Sequence, residues 1–302
     1  MAILINNLTT EEYFASGHRA CAGCGQPIAV RYVLKAAGKN TIVSNATGCL
    51  EVFSTPYPET SWRVPWIHAA FETAAAVASG IDRALIKLKK RKKINLLAMA
   101  GDGGTFDIGI QALSGAAERR HKFTYVCLDN DAYMNTGVQR SGATPKYAST
   151  TTSPAGKKVH GKTEFNKNMP FIMAAHGCYV ATASIAFPHD LIKKVKKGLE
   201  FEGVSYIQVF SPCPVGWKYP DSLTIEMAKL AFKTRMNPLF EIENGIVTIT
   251  NRPSKELPVQ EYLMKQGRFK HLQPKEIEEI QKYVDDQWEK LVKLEESRVR
   301  II

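Results

Sequence analysis

Residues 94–104 read INLLAMAGDGG, and residues 123–130 read FTYVCLDN. Each is a short apolar run that stops abruptly at small or acidic residues. That is the pattern of a strand buried on both faces, since a half-exposed strand would alternate. Between them, residues 107–120 (DIGIQALSGAAERR) have the spacing of a helix. Working outward, the spacing predicts a helix over the Ala-rich residues 69–90, helices near 165–176 and 188–200, and strands at 179–184 (YVATAS) and 204–210 (VSYIQVF). Strands separated by helical crossovers imply an α/β fold with a mainly parallel sheet and helices on both faces. In such sheets ligands bind beyond the carboxyl ends of the strands. Gly101–Gly104, Asp129–Gly137 and Cys213 all fall there.

The character changes after residue 237. Residues 238–250 (PLFEIENGIVTIT) read as a hairpin about Asn244-Gly245, a favoured two-residue turn. An amphipathic helix follows over 274–296, with Ile277, Ile280, Val284, Trp288, Leu291 and Leu294 on one side. The expected organisation is a binding domain over 1–237 and a hairpin-and-helix extension over 238–302.

The chain has 302 residues, 44% of them hydrophobic and 23% charged, enough for a sizeable core. No run approaches the roughly 18 apolar residues of a membrane span. The start, Met1-Ala2-Ile3-Leu4-Ile5, lacks a basic region and a long apolar stretch, so no secretory signal is read and a cytoplasmic location is expected. The sequons at Asn7 and Asn45 then carry no meaning. The net charge is +11. Much of the excess sits in Lys87–Lys93 (KLKKRKK) and Lys193–Lys197 (KKVKK), which read either as solvated helix ends or as a docking surface for an acidic protein. Nucleic acid is disfavoured, because no basic stripe is interleaved with aromatic residues.

Two constellations carry chemistry. The glycines of Gly101-Asp102-Gly103-Gly104 let backbone N–H groups approach a diphosphate. Asp102 and, after the next strand, the Asn130 side chain and the Ala132 carbonyl offer the oxygen ligands that Mg2+ prefers. Adjacent parallel strands would bring these groups together. The second constellation is Cys21-Ala22-Gly23-Cys24, with Cys49 in Thr47-Gly48-Cys49 and Cys213 in Ser211-Pro212-Cys213-Pro214. Four thiolates suit zinc or an iron–sulfur cluster. A zinc ribbon would want a second close pair, and a proline after a cluster cysteine is familiar from small ferredoxins. Cys127 and Cys178, flanked by apolar residues, read as packed thiols.

The stretches GHRACAGCG (17–25), ATGCLEVF (46–53), VPWIHAAFE (64–72), residues 100–145 from AGDGG to GATP, and FSPCPVGW (210–217) together resemble the beta subunit of 2-oxoacid:ferredoxin oxidoreductases, in its pyruvate branch. The C-terminal QGRFKHL (266–272) also fits. The resemblance implies a thiamine diphosphate-binding fold and oxidative decarboxylation of pyruvate with coenzyme A, electrons leaving one at a time for ferredoxin. It implies one [4Fe–4S] cluster on Cys21, Cys24, Cys49 and Cys213, and Mg2+ on Asp102, Asn130 and Ala132. Gly101 to Gly104 and Tyr133, Met134 and Asn135 would form cofactor-binding loops. Gln26 and Cys49 would lie beside the cofactor rings, and Asn135 near the reacting carbon. His68 reads more as a satisfied core or interface histidine than as a site residue. An alpha subunit would supply the activating glutamate and much of the substrate pocket, further subunits would carry additional clusters, and this chain alone would be inactive. The same subunit type acting on a branched-chain oxoacid, 2-oxoglutarate or oxalate is the alternative. No membrane or nucleic-acid partner is implied.

Overall fold

The computed structural model describes residues 9–301, so the readings of Met1–Ile5 and of the Asn7 sequon lie outside the described residues. Among the described residues, eight strands form one sheet in the order β2-β1-β3-β4-β6-β5-β7-β8. They are β1 (Thr41–Ala46), β2 (Trp66–Ala69), β3 (Asn95–Gly101), β4 (Phe123–Asp129), β5 (Tyr179–Ser184), β6 (Val204–Phe210), β7 (Leu239–Glu243) and β8 (Ile246–Asn251). The first six run parallel. The hairpin β7–β8 joins antiparallel on β5, so the strands read as a C-terminal extension continue the same sheet. Its turn residues Asn244 and Gly245 both have positive φ (51° and 77°), as a two-residue hairpin requires.

The helices are α1 (Gly25–Ala37), α2 (Cys49–Ser54), α3 (Ala74–Lys87), α4 (Ile110–Glu118), α5 (Met169–Ala174), α6 (Pro188–Glu200), α7 (Pro214–Trp217), α8 (Thr224–Lys233), α9 (Gln260–Leu263) and α10 (Pro274–Ser297). Period-two alternation explains why β3 and β4 read as continuous apolar runs. Leu96, Ala98, Ala100, Phe123, Tyr125 and Cys127 pack into the core beneath α3, α4 and α5. Leu97, Met99, Val126 and Leu128 pack into the opposite core, beneath α1 and α6. Cys127 and Cys178 are buried, as packed thiols are.

Three sequence expectations change. The helix expected over 69–90 begins only at Ala74, because β2 takes residues 66–69 as an edge strand. The helix expected from 107 begins at Ile110, because Gly103–Asp107 coil into a π-helical turn directly after β3. Such turns recur at functional sites. The lysine run 193–197 is not a continuous basic surface. Lys194 is fully buried and bound to Asp190, Thr250 and the Thr182 carbonyl. Lys197 pairs with Glu241 and Glu243. The run 87–93 sits before β3, at the amino edge of the sheet. The seven residues of β3 span roughly 20 Å, which separates this charge from the carboxyl edge.

α10 opens with a capping box in which Gln273 and Glu276 satisfy each other's backbone donors, and Pro274 occupies the first turn. Its buried row is Ile280, Val284 and Leu291.

Candidate functional site

The chain leaves β1 outward to β2 and returns across it to β3, so the strand order reverses between β1 and β3. A crevice therefore opens beyond their carboxyl ends. The loops there line an open pocket with a cavity volume of about 60 Å³. Thr47, Gly48 and Cys49 come from the end of β1, Phe71 from the segment after β2, Gly101, Gly103 and Gly104 from the end of β3, and Asn130 and Ala132 to Thr136 from the end of β4. Gln26, on the first turn of α1, completes it. Every residue expected to bind the cofactor lines this pocket except Asp102, which lies fully buried just behind it.

Asp102 is placed by the β3–β4 pairing, which sets Gly101 opposite Leu128. One carboxylate oxygen accepts from the Asn130 backbone N–H at 3.3 Å and the other from the Ser141 hydroxyl at 2.5 Å. It forms no ion pair among the described residues. Burial pushes this carboxyl above its usual range and the nearby Asp131 charge adds to that, while the Ser141 hydrogen bond pulls it back. An ionised carboxylate with no cation beside it is costly in such a place. The Asn130 carboxamide oxygen lies 3.0 Å from Asp102 Oδ1 and 3.1 Å from the Ala132 carbonyl. Three oxygens facing one another around a buried carboxylate leave two ways out. Either the amide turns its NH2 toward them, or a hard cation sits between them. The donor set suits Mg2+. The second way leaves the Asn130 NH2 facing Gln26, whose buried Oε1 has no hydrogen-bond partner. That pairing needs the Gln26 amide turned toward it.

The glycines have steric reasons. A Cβ on Gly103 would stand 2.5 Å from the Tyr133 ring, and one on Gly104 would stand 3.1 Å from the Phe71 carbonyl. Phe71 and Tyr133 meet edge to face at 5.7 Å, forming an aromatic wall. Asn135 and Thr136 are exposed at the mouth.

The sulfur-bearing segments converge on the same crevice. Gly25 N–H donates to the Pro212 carbonyl at 3.2 Å, and a Cβ on Gly25 would stand 2.9 Å from the Ser211 carbonyl carbon, so the loop of Cys21 and Cys24 lies against the turn of Cys213. Gly23 (φ +70°) lies against the Asp221 backbone, leaving no room for a side chain. Cys49 opens α2 and lines the pocket. Burial raises the Cys24 and Cys49 thiols to about 12, and the charges of neighbouring cysteines add to both. Cys213 is raised by burial and eased by the N–H groups of Gly216 and Val215, the former 3.4 Å from its sulfur. No three His, Cys, Asp or Glu side chains are arranged to hold a single metal ion among the described residues.

His68 is not a core residue. Its side chain is 44% exposed, with Nε2 2.6 Å from the Thr47 hydroxyl and Nδ1 4.0 Å from Glu51. Sequence reasoning missed Thr47, Phe71, Thr136 and Ser141. Ser141 is 39 residues from Asp102 and sits in a loop with no periodic signal.

Lys162 lies behind the 141–144 loop, 2% exposed, donating to the Thr144 carbonyl at 2.5 Å and forming no ion pair among the described residues. Burial, with Arg140 adding to it, lowers this ammonium to about 8 from an ordinary 10.5. Between those values the unfolded chain holds the proton that the native state has released, so wild-type stability gains with rising pH. Lys162→Met is therefore expected to raise the thermal midpoint at pH 7. The gain should shrink as pH rises from 8 toward 10.5. A midpoint difference independent of pH in thermal melts would contradict this.

Residues 46–209 match the family described as thiamine pyrophosphate enzyme, C-terminal TPP binding domain. The chain is 58% identical to pyruvate synthase subunit PorB of Methanocaldococcus jannaschii, over 94% of this chain and 98% of that one. It is 49% identical to the protein of the same name from Thermotoga maritima, over 93% and 91%. It is 47% identical to ketoisovalerate oxidoreductase subunit VorB of Pyrococcus furiosus, over 95% and 94%. Among solved structures, a chain of 2-oxoglutarate:ferredoxin oxidoreductase from Magnetococcus marinus superposes with a TM-score of 0.58 at 23% identity, covering 74% of this chain and 82% of that one, which supports the fold.

Proposed function

We propose a division of labour for this chain, which belongs to the thiamine pyrophosphate enzymes and, within them, to the pyruvate synthase beta subunits: it holds the cofactor and carries electrons away, and a partner subunit completes the site. The reaction is oxidative decarboxylation of pyruvate with coenzyme A to acetyl-CoA and CO2, with ferredoxin as electron acceptor. When bound, thiamine diphosphate supplies the carbanion chemistry of decarboxylation and a [4Fe–4S] cluster takes electrons singly.

The protein's own groups bind and orient. Asp102, Asn130 and the Ala132 carbonyl would hold Mg2+, and Gly103 and Gly104 would let the backbone approach the diphosphate. Gln26 would meet the rings on the α1 side, and Asn135 would stand at the open mouth, near the reacting carbon. Cys21, Cys24, Cys49 and Cys213 would bind the cluster. The observation that carries this reading is Cys49, which both lines the cofactor pocket and opens α2 beside the other three cysteines. One residue at both centres keeps the path of the electron short.

A partner is supported by the pocket's surroundings. Val52, Tyr57, Ile67 and Ile108 are exposed on the segments that flank the mouth, and Tyr57 is 95% exposed. The activating glutamate is read as one that the partner supplies. The partner is read as an alpha subunit, with further clusters on other subunits. A helix long and apolar enough to cross a membrane is absent among the described residues.

A second substrate reading has one observation behind it. The ketoisovalerate oxidoreductase subunit and the pyruvate synthase subunit of Pyrococcus furiosus are both 47% identical to this chain. The test is reconstitution under anaerobic conditions, with ferredoxin reduction followed on a panel of 2-oxoacids. Pyruvate is expected to be preferred, and the isolated chain to be inactive. Full turnover by the chain alone, or preference for a branched-chain oxoacid, would overturn the corresponding part.

A further inference from the structure

The C-terminal segment Gly267–Phe269, between α9 and α10, packs behind the site, against the loop that follows β4. Arg268 is 3% exposed. Its guanidinium donates to Asp131 Oδ2 at 2.9 Å, to Gln266 Oε1 at 2.8 Å and to the Tyr262 hydroxyl at 3.5 Å. It also lies 4.0 Å from the centre of the Trp217 ring.

Both partners are placed to matter. Asp131 stands between Asn130 and Ala132, the two groups that would bind the cation alongside Asp102, and its φ is +65°. Aspartate tolerates this left-handed region better than most side chains, and the ion pair with Arg268 fixes it there. Asp102, Asp129 and Asp131 are all buried, and Arg268 is the one cation in an ion pair with any of them among the described residues. Trp217 is fully buried and ends α7, the short helix that follows Cys213. Its indole N–H donates to the Asn130 carbonyl at 2.9 Å. One guanidinium thus grips the cation loop by its middle residue and covers the indole that joins that loop to the cysteine-bearing turn.

The segment that carries Arg268 is itself fixed. Gly267 N–H donates to the Lys218 carbonyl at 3.0 Å, just past Trp217, and a Cβ on Gly267 would stand 2.6 Å from Lys218 Cβ. Ser149 N–H donates to the Arg268 carbonyl at 3.0 Å.

We propose that Arg268 is a positioning residue that couples the cation-binding loop 130–132 to the Cys213 turn, making the C-terminal arm a working part of the site. The inference rests on the assignment of thiamine diphosphate, Mg2+ and the cluster given above. A lysine would keep the charge but lose the flat face that stacks on the indole and the fork that meets Asp131 and Gln266 together.

The experiment compares Arg268→Lys and Arg268→Met with Arg235→Met in the anaerobically purified complex. Arg235 ties the arm down through Asp285 and Glu256, none of which lines the cofactor pocket, so its loss reports a merely structural effect. Thiamine diphosphate affinity at fixed Mg2+, the midpoint potential of the cluster by redox-titrated EPR, and the thermal midpoint are measured for each. Residues that orient ligands typically cost about 10- to 100-fold in metal affinity when replaced. Arg268→Lys is expected to weaken cofactor binding by that range and to shift the cluster potential. Arg235→Met should lower the thermal midpoint and move neither. Wild-type values for Arg268→Lys, or equal shifts from Arg235→Met, would overturn the coupling. A wild-type complex lacking iron or thiamine diphosphate would overturn the underlying assignment and the coupling with it.

Discussion

Asp102→Asn is expected to abolish Mg2+-dependent binding of thiamine diphosphate while leaving the fold intact. The substitution keeps the shape, and with its one oxygen in the place of Oδ2 it still accepts from the Ser141 hydroxyl, while the Asn130 N–H gives up its weaker 3.3 Å hydrogen bond. What it removes is the single negative charge closest to the Asn130 and Ala132 oxygens. The replacement side chain also brings an NH2 that can satisfy those oxygens without a cation. The loss of affinity should exceed the roughly 100-fold at the upper end for residues that merely orient ligands. Calorimetric titration of the cofactor at fixed Mg2+ measures it. In metal-free buffer the thermal midpoint should hold or rise, because an uncompensated buried charge has been deleted. Unchanged cofactor affinity would remove the cation site from the account.

Cys24→Ser in the anaerobically purified complex is expected to eliminate the iron and inorganic sulfide bound to this chain, with the corresponding loss of brown colour. Cys24 sits immediately before α1 in a loop that has no slack. Gly23 and Gly25 on either side are packed against the Asp221 backbone and against Ser211–Pro212. A cluster held there depends on a thiolate at that position. Serine offers a hydroxyl that is a far poorer ligand for iron in a sulfur-ligated cubane. Cys127→Ala is the control. Cys127 is fully buried in the middle of β4, so its loss should cost some stability and no iron. Iron analysis and the visible spectrum of the two variants decide the matter. Equal iron in both would mean that the four cysteines do not bind a cluster.

Both outcomes are anchored in features that short stretches of sequence display. A strand buried on both faces is apolar at most positions, so β3, β4, β5 and β6 are visible as runs within a residue or so of their ends. The Gly-Asp-Gly-Gly break after β3, Asn130 after β4 and the close cysteine pair are visible for the same reason. Each is a local requirement, met by adjacent residues, and the resemblance to known 2-oxoacid oxidoreductase subunits is carried by the same stretches.

The tertiary structure decided what depends on residues far apart in the chain. β1 and β2 are short and carry polar residues such as Asn45 and His68, so periodicity does not reveal them. Without them the reversal of strand order that opens the crevice is invisible. Lys194 looks like part of a basic patch until α6 turns it inward onto Asp190 and β8. Ser141 meets Asp102 across 39 residues, and Arg268 meets Asp131 across 137. A hydrogen bond or ion pair at such separation leaves no mark on the neighbours of either residue, because the sheet and the packing of the C-terminal arm bring the two together.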